Sequence, residues 1–265
     1  MKRDEILLKL KELKLINKTH TMDSRIFVSD AVNIIDYFLK THPTLLGEKK
    51  VETPTTPPKS EVVYTTRGNF GYVSVNPLDV SVFVQNANIF NCNARNALNG
   101  TFFWAGKPGG ILIQDGKILY GASSHAWRGY PQAVLYCDIE GRVGITVIKS
   151  ANEFPHVERV KWAIGGFSLL NPSGSTPAKE GFNAQFADVL RTTYKTSIGY
   201  NASSNKIIMG VHLLQATYNE QVTNMQSLGC KYAIGLDGGG SSTIKVNGSV
   251  KLSTYRTLNN FVTWK

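Results

Sequence analysis

The chain has 265 residues, of which 42% are hydrophobic and 18% charged, and its formal net charge is +10. This composition suits one sizeable globular domain with room for a small second unit. Because the positive charge is spread along the chain without a dense Lys/Arg run, a nucleic-acid-binding protein is not favoured. The charge indicates either a solvated basic surface or attraction to an anionic ligand, such as a phosphodiester, a nucleotide or a cell-wall polymer.

The cysteines and the N-terminal sequence bear on disulfides, on zinc sites and on where the protein is found. The three cysteines, Cys92, Cys137 and Cys230, show no Cys-x-x-Cys spacing and are odd in number. Neither a disulfide framework nor a zinc site is therefore predicted. The N-terminus is too charged for a signal peptide, and no apolar run approaches the roughly 18 residues that span a membrane. We expect a cytoplasmic protein that contacts no membrane, unless it is released by cell lysis or an unconventional route.

The N-terminal part of the chain, residues 1–46, carries a helical pattern. Apolar residues recur at helical spacing within residues 3–16 and again within residues 29–40. Two short amphipathic helices bury little surface alone, so we expect them to pack on each other, on the main domain or on a partner. A homo-oligomer formed through residues 1–46 is one option. Residues 47–61 are rich in proline and threonine, which predicts an extended linker.

From residue 62 onward the pattern changes to strands. Short apolar runs are separated by turn signals, and Asp115 and Glu140, each followed by glycine, are typical of β-hairpins. Helices are predicted near residues 184–195 and 219–228. Because strands outnumber helices and do not alternate regularly with them, we predict an α+β domain over residues 62–265. It would contain a mixed β-sheet with flanking helices, preceded by the small N-terminal helical segment.

The most informative motif is LDGGGSST, residues 236–243. Its glycines allow positive φ and carry no Cβ, so consecutive backbone N–H groups can converge on an anion. The spacing is neither that of a Walker loop nor that of a dinucleotide fingerprint. Asp237 follows an apolar strand and could act as an acid, a base or a nucleophile, could fix a sugar hydroxyl, or could simply cap the turn.

Two further stretches interrupt apolar strands with glycine or polar residues. Asn99 and Gly100 end one apolar run, and Gly165 and Gly166 lie between two others. Breaks of this kind indicate backbone brought close to a ligand. Trp104, beside a glycine-rich segment, is the best candidate for a platform on which a sugar stacks, although such aromatic residues belong to a core more often.

Six short segments, taken in chain order, resemble the motif series of the phosphodiester glycosidase family. They are LNGTFF (98–103), IQDGKI (113–118), IGGFSLL (164–170), KTSIG (195–199), LDGGGSST (236–243) and RTLNNF (256–261). The resemblance covers about residues 92–265 and leaves residues 1–46 outside it. The eight-residue glycine motif is the most specific of the six.

The resemblance implies hydrolysis of a glycosyl–phosphodiester bond to a free sugar and a phosphomonoester. In this family the uncovering enzyme removes N-acetylglucosamine from a sugar-1-phosphodiester. The expected ligand is a small anionic sugar phosphate or a nucleotide. No cofactor or metal site is predicted, with a divalent ion held by Asp237 and the substrate left open.

The resemblance also suggests roles for the matching residues. Asp237 is the leading catalytic acid or base, Lys195 supplies positive charge to phosphoryl oxygens, and Asn99 hydrogen-bonds the sugar or phosphate. His212 is either a second proton carrier or a strand histidine satisfied by its neighbours. Glycoside hydrolysis usually uses two carboxylates, and only Asp237 is offered by these segments. The residues expected to bind substrate are Gly100, Trp104, Gly165, Gly166, Thr196, Gly238, Gly239, Gly240, Ser241, Ser242, Arg256 and Asn260, the last of these by orienting the loop of Asp237.

Three departures from the family pattern keep other functions open. Thr101 replaces a glycine, Lys195 replaces an arginine unless Arg191 takes its place, and His212 stands where an acidic residue is expected. A lysine keeps the charge but loses the bidentate fork that suits a phosphate. One alternative is a non-catalytic binding module, or sponge, for an anionic phosphodiester or nucleotide. Another is a structural protein assembled through residues 1–46.

Overall fold

The computed structural model describes residues 62–121, 130–180 and 187–265, and for residues 187 and 188 only the backbone. The helices expected within residues 1–46 and the linker expected at residues 47–61 lie outside the described residues. The described residues all belong to the main domain that the sequence predicts.

β-Strands dominate the described part of the chain. Seventeen strands are β1 (Thr65–Arg67), β2 (Phe70–Val75), β3 (Val80–Ala87), β4 (Ala97–Asn99), β5 (Phe103–Trp104), β6 (Lys107–Pro108), β7 (Leu112–Gln114), β8 (Lys117–Tyr120), β9 (Gln132–Asp138), β10 (Val143–Ile148), β11 (Val160–Leu170), β12 (Thr196–Asn201), β13 (Lys206–His212), β14 (Tyr232–Gly235), β15 (Ile244–Val246), β16 (Ser249–Leu252) and β17 (Leu258–Trp264).

Helical structure is sparse in the same residues. One α-helix, α1 (Tyr218–Ser227), begins with a capping box in which Thr217 and Glu220 bond each other's backbone N–H. The remaining helical pieces are short 3₁₀ turns at Pro77–Asp79, Ala151–Glu153, Val157–Arg159, Pro177–Lys179, Ala187–Leu190 and Gly239–Ser241.

The strands form three sheets. The largest has ten strands in the order β1-β2-β13-β12-β14-β11-β7-β8, with β9 pairing with β11 and β10 pairing with β9. A five-stranded sheet has the order β16-β15-β4-β17-β3, and β5 pairs with β6 alone. Every strand pair within the described ranges is antiparallel.

The prediction of an α+β domain with a mixed sheet and flanking helices is therefore wrong, and the fold is mostly β. The helix expected at residues 219–228 is confirmed by α1. The helix expected at residues 184–195 is not formed in its described part, where a 3₁₀ turn ends at Leu190 and Thr193 pairs with Ala216 in an isolated bridge. The hairpins at Asp115 and Glu140 are confirmed, between β7 and β8 and between β9 and β10.

Apolar side chains cover both faces of the large sheet. Trp162 and Ile164 of β11 belong to a cluster shared with the five-stranded sheet, whereas Ala163 between them belongs to a second cluster that includes Met225 of α1. The central strands are buried on both faces and read as continuous apolar runs, since alternate side chains point to opposite sides. This double burial explains why the sequence of β11 shows no polar alternation.

Candidate functional site

The two sheets meet at the glycine motif, residues 236–243, which we call the glycine loop. Strand β14 ends at Gly235, directly before this loop, and β4 of the smaller sheet ends at Asn99. The Asp237 amide donates a hydrogen bond to the Gly100 carbonyl at 3.3 Å. The loop is thus attached to strand ends from both sheets, and this attachment fixes where Asp237 lies.

Asn99 stabilises this junction by hydrogen bonds to a residue of the large sheet and to the glycine loop. It is 1% exposed, and its Nδ2 donates to the Asp237 carbonyl at 2.7 Å. Its Oδ1 accepts from Thr196 Oγ1 at 2.9 Å and from the Thr243 amide at 3.0 Å. Asn99 and Thr196 were both predicted to contact substrate, and the structure places them inside the protein, where they position the glycine loop.

Gly238 and Gly239 occupy positions that larger residues would resist. Gly239 has φ of +56°, and its amide donates to the Tyr194 carbonyl at 2.8 Å. A Cβ on Gly238 would lie 2.9 Å from the same carbonyl oxygen. The amides of Gly238 and Gly240 make no backbone hydrogen bond to any residue in the described ranges. An anion-binding cradle built from this loop would therefore use those two N–H groups and not that of Gly239.

The two serines of the loop face inward. Ser241 and Ser242 are buried, and Ser242 Oγ lies 3.1 Å from Thr196 Oγ1. Ser241 Oγ accepts a hydrogen bond from Arg256 Nη1 at 3.0 Å. Arg256 is exposed, and its guanidinium lies 4.9 Å from the centre of the Phe103 ring. The serine hydroxyls therefore hold the loop in shape and fix one arginine beside it.

A small pocket opens next to the loop, and its lining combines apolar side chains, loop backbone and one ammonium group. The lining residues are Phe102, Phe167, Val189, Thr193, Lys195, Leu236, Gly238 and Gly239. Arg191, the alternative to Lys195 in the sequence analysis, is exposed and does not line this pocket.

Lys195 is the charged group of the pocket. Its side chain is 2% exposed, and Nζ donates to the Val189 carbonyl at 2.6 Å. Asp237 is half-buried; its neighbours in the chain, Leu236 and Gly238, line the pocket, and Asp237 itself is not among the lining residues. An ammonium held among apolar walls acts on an anion more strongly than it would in water.

His212 lies away from the pocket lining, on the face of the sheet that α1 covers. It is buried, its ring centre lies 5.0 Å from that of Phe70, and its Nε2 is 2.8 Å from Asn224 Nδ2. Because an amide nitrogen only donates, Nε2 accepts and the neutral ring carries its proton on Nδ1. Nδ1 has no hydrogen-bond partner among the described residues. Burial lowers the pKa of His212 to about 4, against the nearby Glu220 charge, which acts in the opposite direction.

Gly165 and Gly166 are packing residues of β11. A Cβ on Gly165 would clash with Gln132 Oε1, and one on Gly166 would clash with the Gly235 carbonyl oxygen. Both glycines are buried by protein atoms, so they let neighbouring strands approach closely. Trp104, the predicted stacking platform, is 68% exposed on β5.

Asn260 supports the turn that receives Asp237. Its side-chain Nδ2 donates to the Thr101 backbone carbonyl at 3.1 Å, and its backbone carbonyl accepts from the Gly100 amide at 3.0 Å. Thr101, where the family has glycine, is accommodated because its hydroxyl lies against Gly110, where any Cβ would clash with it. This departure is therefore compensated within the protein and does not enter the pocket lining.

One buried carboxylate, Glu180, was not predicted from the sequence. It is 2% exposed, and it accepts hydrogen bonds from the Ser168 amide at 3.1 Å, from Ser175 Oγ at 2.9 Å and from the Ser168 hydroxyl. Burial raises the pKa of Glu180, against the effect of these hydrogen bonds. A single glutamate that follows a lysine in a loop sequence is typical of an exposed position, so no local sequence pattern predicts that Glu180 is buried.

Other kinds of site find no support in the described residues. Cys92, Cys137 and Cys230 are free thiols in the structure. In the described ranges, no three His, Cys, Asp or Glu side chains gather as a metal site would need. None of the helices in that part of the chain has the length and apolar character needed to cross a membrane.

Comparisons with known proteins bear on the family and the fold of this chain. The family model of the phosphodiester glycosidases matches residues 82–263, which include every residue of the pocket and the glycine loop. Among solved structures, one similar chain is the catalytic domain of zebrafish N-acetylglucosamine-1-phosphodiester alpha-N-acetylglucosaminidase, auto-inhibited by its pro-peptide. It has a TM-score of 0.60 and 18% identity, covering 77% of this chain and 81% of that chain.

Two further solved structures are similar at a lower level. A putative exported protein from Burkholderia pseudomallei K96243 has a TM-score of 0.50 and 12% identity, covering 74% of this chain and 73% of its own. A hypothetical protein from Synechocystis has a TM-score of 0.49 and 13% identity, covering 76% and 61%. None of the curated proteins matches the chain. The family model spans well over half of the sequence, and the chain therefore belongs to the phosphodiester glycosidase family.

Proposed function

We propose that the protein hydrolyses a small anionic glycosyl–phosphodiester, releasing a free sugar and a phosphomonoester. The observation that carries this proposal is the placement of the Lys195 ammonium and the glycine loop around one pocket, with Asp237 between two lining residues. Membership of the family supplies the reaction class.

The phosphate end of the substrate would lie against Lys195 and the loop backbone. A phosphodiester carries one negative charge, and the buried ammonium offers the complementary charge where little water competes. The amides of Gly238 and Gly240 supply further donors. The apolar walls formed by Phe102 and Phe167 exclude water from the bond that breaks.

Asp237 would act as the base. It takes a proton from water, the water oxygen bonds to the anomeric carbon, and the bond from that carbon to the phosphate oxygen breaks. The leaving phosphomonoester is weakly basic and needs little protonation, so a single carboxylate suffices. Hydrolysis in ¹⁸O-labelled water distinguishes this route from attack at phosphorus, because the label enters the sugar in the first case and the phosphate in the second.

A binding module without turnover is the second candidate, and one observation favours it. The Thr196 hydroxyl lies within hydrogen-bonding distance of the side chains of Asn99 and Ser242, so these polar groups contact one another inside the protein. His212 is buried outside the pocket lining. Few side chains are then left for chemistry. The same pocket would hold a phosphodiester without cutting it.

The test is incubation of the purified protein with a panel of sugar-1-phosphodiesters, including nucleotide-linked sugars, followed by phosphorus NMR and mass spectrometry. We expect turnover by the parent and a loss of about 100-fold or more in Asp237→Asn. Asp115→Asn is the matched control, because Asp115 lies in the β7–β8 hairpin and pairs with Lys161 at 2.5 Å. Stoichiometric binding of an intact panel member by the parent, with no product, would overturn hydrolysis and favour the binding module.

A further inference from the structure

Two large aromatic side chains stack on each other at the surface. The ring centres of Phe90 and Tyr255 are 5.1 Å apart and their planes differ by 19°. Phe90 is 48% exposed and Tyr255 is 75% exposed. They come from positions far apart in the chain, so their alignment reflects the fold and not local sequence. The pair therefore presents a flat aromatic surface to solvent.

The backbone of Tyr255 is held in an unfavourable conformation. Its φ is +63°, which is rare for a bulky aromatic residue. The Tyr255 amide donates to Ser253 Oγ at 3.0 Å, which helps to fix the turn. Strain of this kind persists where the surroundings over-determine it, and such residues cluster at ligand sites.

The turn that carries Tyr255 is attached to the glycine loop on both sides. Thr254 Oγ1 donates a hydrogen bond to the Gly240 carbonyl, and Arg256 Nη1 donates to Ser241 Oγ at 3.0 Å. The aromatic pair is therefore fixed relative to the loop that the proposed function assigns to the phosphate. The turn borders the glycine loop at Gly240 and Ser241, whereas the pocket borders it at Gly238 and Gly239.

The polar groups beside Tyr255 indicate which kind of group fits. The hydroxyls of Ser253 and Thr254 are used to hold the turn and the glycine loop. Recognition of a second sugar would need hydrogen-bonding side chains around the ring, whereas a nucleobase needs only a flat face on which to stack. The charge of Arg256 suits a ligand that carries phosphate.

We propose that Tyr255 and Phe90 form the subsite for a nucleobase, so that the group released with the phosphate is a nucleoside. This inference rests on the proposed function, since it deepens the specificity of the same site. The sugar and the nucleoside then lie on opposite sides of the phosphodiester, with the base stacked on the Tyr255 ring.

The test uses two substrates with the same sugar-1-phosphoryl group, one esterified to a nucleoside and one to methanol. For the parent we expect kcat/KM to be at least ten-fold higher for the nucleoside ester, mainly through KM. Tyr255→Ala and Phe90→Ala should each lower that ratio about ten-fold, and Tyr255→Phe, which keeps the ring, should preserve it. A parent ratio near one, or a ratio that Tyr255→Ala leaves unchanged, would overturn the subsite.

A binding measurement separates failure of the subsite from failure of the proposed function. If neither ester is hydrolysed, the hydrolase proposal fails, and calorimetry with the same two esters still tests the platform. Tighter binding of the nucleoside ester, lost in Tyr255→Ala and kept in Tyr255→Phe, supports the subsite for a binding module as well. Equal binding of the two esters, or no binding of either, overturns it. Thermal unfolding of each variant checks that the exposed substitutions leave the fold intact.

Discussion

Two glycine-rich regions of this protein look alike in sequence and differ in the structure. The glycine loop, residues 236–243, and the pair Gly165 and Gly166 both interrupt apolar runs. In the loop, Gly239 has a left-handed φ and the backbone of Gly238 and Gly239 borders a pocket. In β11, the pair is buried and other protein atoms occupy the space where its side chains would be.

The difference shows that glycine serves two separate needs. A positive φ or a ligand near the backbone requires it in one place, and the close approach of two strands requires it in the other. Sequence alone does not distinguish them, because both produce glycine between apolar residues. Substitutions that separate activity from stability should distinguish them by experiment.

The largest expected effect is the loss of activity when the pocket loses its charge. Lys195→Met keeps an unbranched apolar stem and removes the ammonium, so kcat/KM should fall by about 100- to 1,000-fold. Steady-state kinetics on the best panel substrate measures this effect. The matched control is Lys245→Met, because Lys245 is also buried and its Nζ donates to the Cys92 carbonyl at 2.8 Å, outside the pocket lining. Equal losses in the two variants would show that Lys195 acts through stability.

The free energy of unfolding should depend on pH through His212, which is buried on one face of the large sheet. Because burial lowers the pKa of His212 to about 4, the unfolded state binds a proton more readily between about pH 4 and pH 6.5. The free energy of unfolding should therefore decrease as the pH falls through this window, by at most about 1.4 kcal/mol per pH unit from this residue.

His212→Gln, compared with the parent by urea unfolding at several pH values, isolates that contribution. Glu180 has the opposite sign, because its raised pKa favours the folded state at low pH and costs stability as the pH rises. The difference between parent and variant removes the Glu180 effect, since both proteins keep that residue. Parallel pH profiles would contradict the assignment of a buried neutral histidine.

In β11, a methyl group added at Gly166 should lower the free energy of unfolding. Gly166→Ala places a Cβ against the Gly235 carbonyl oxygen, and backbone cannot rotate away as a side chain can. We expect the free energy of unfolding to fall by about 1–3 kcal/mol, with activity per folded molecule largely kept. Urea unfolding and active-site titration measure the two quantities. Full stability with lost turnover would instead place Gly166 at the ligand.

In the glycine loop, the same added methyl group should cost little. The nearest atoms to a Cβ on Gly240 belong to Arg256, at 3.9 Å, and its φ is not positive. Gly240→Ala should change the free energy of unfolding by less than about 0.5 kcal/mol. Because the methyl group lies beside the Gly240 amide that the proposed function assigns to the phosphate, the KM for a phosphodiester is the quantity that should shift. A stability loss as large as that of Gly166→Ala would remove the distinction between the two regions.

Local features were predicted better than their pairing. The hairpins at Asp115 and Glu140 and helix α1 follow from turn chemistry and capping, which act over a few residues. The direction of strand pairing cannot be predicted in this way, because strands buried on both faces show the same continuous apolar sequence in parallel and antiparallel sheets. The mixed sheet was predicted wrongly for that reason.

The candidate site shows the same limit. The motif order singled out Lys195, which lines the pocket, and Asp237, whose two neighbours in the chain line it. The inward direction of Asn99 depends on Thr196 and Thr243, which are distant in the sequence and meet it only in the folded chain. The stacking of Phe90 on Tyr255 likewise has no local signal.

Thr101 and Gly110 carry a consequence for how this sequence can change over time. The Thr101 hydroxyl occupies the space that a side chain at position 110 would need. Glycine at position 101 would free that space, and the Gly165 carbonyl oxygen, at 3.0 Å, is the next atom that an alanine at position 110 would meet. The two positions are therefore expected to co-vary among relatives, and the order of the two substitutions matters. A lineage that enlarges position 110 first must place the new side chain against the Thr101 hydroxyl, whereas one that reduces position 101 first removes that clash before it arises.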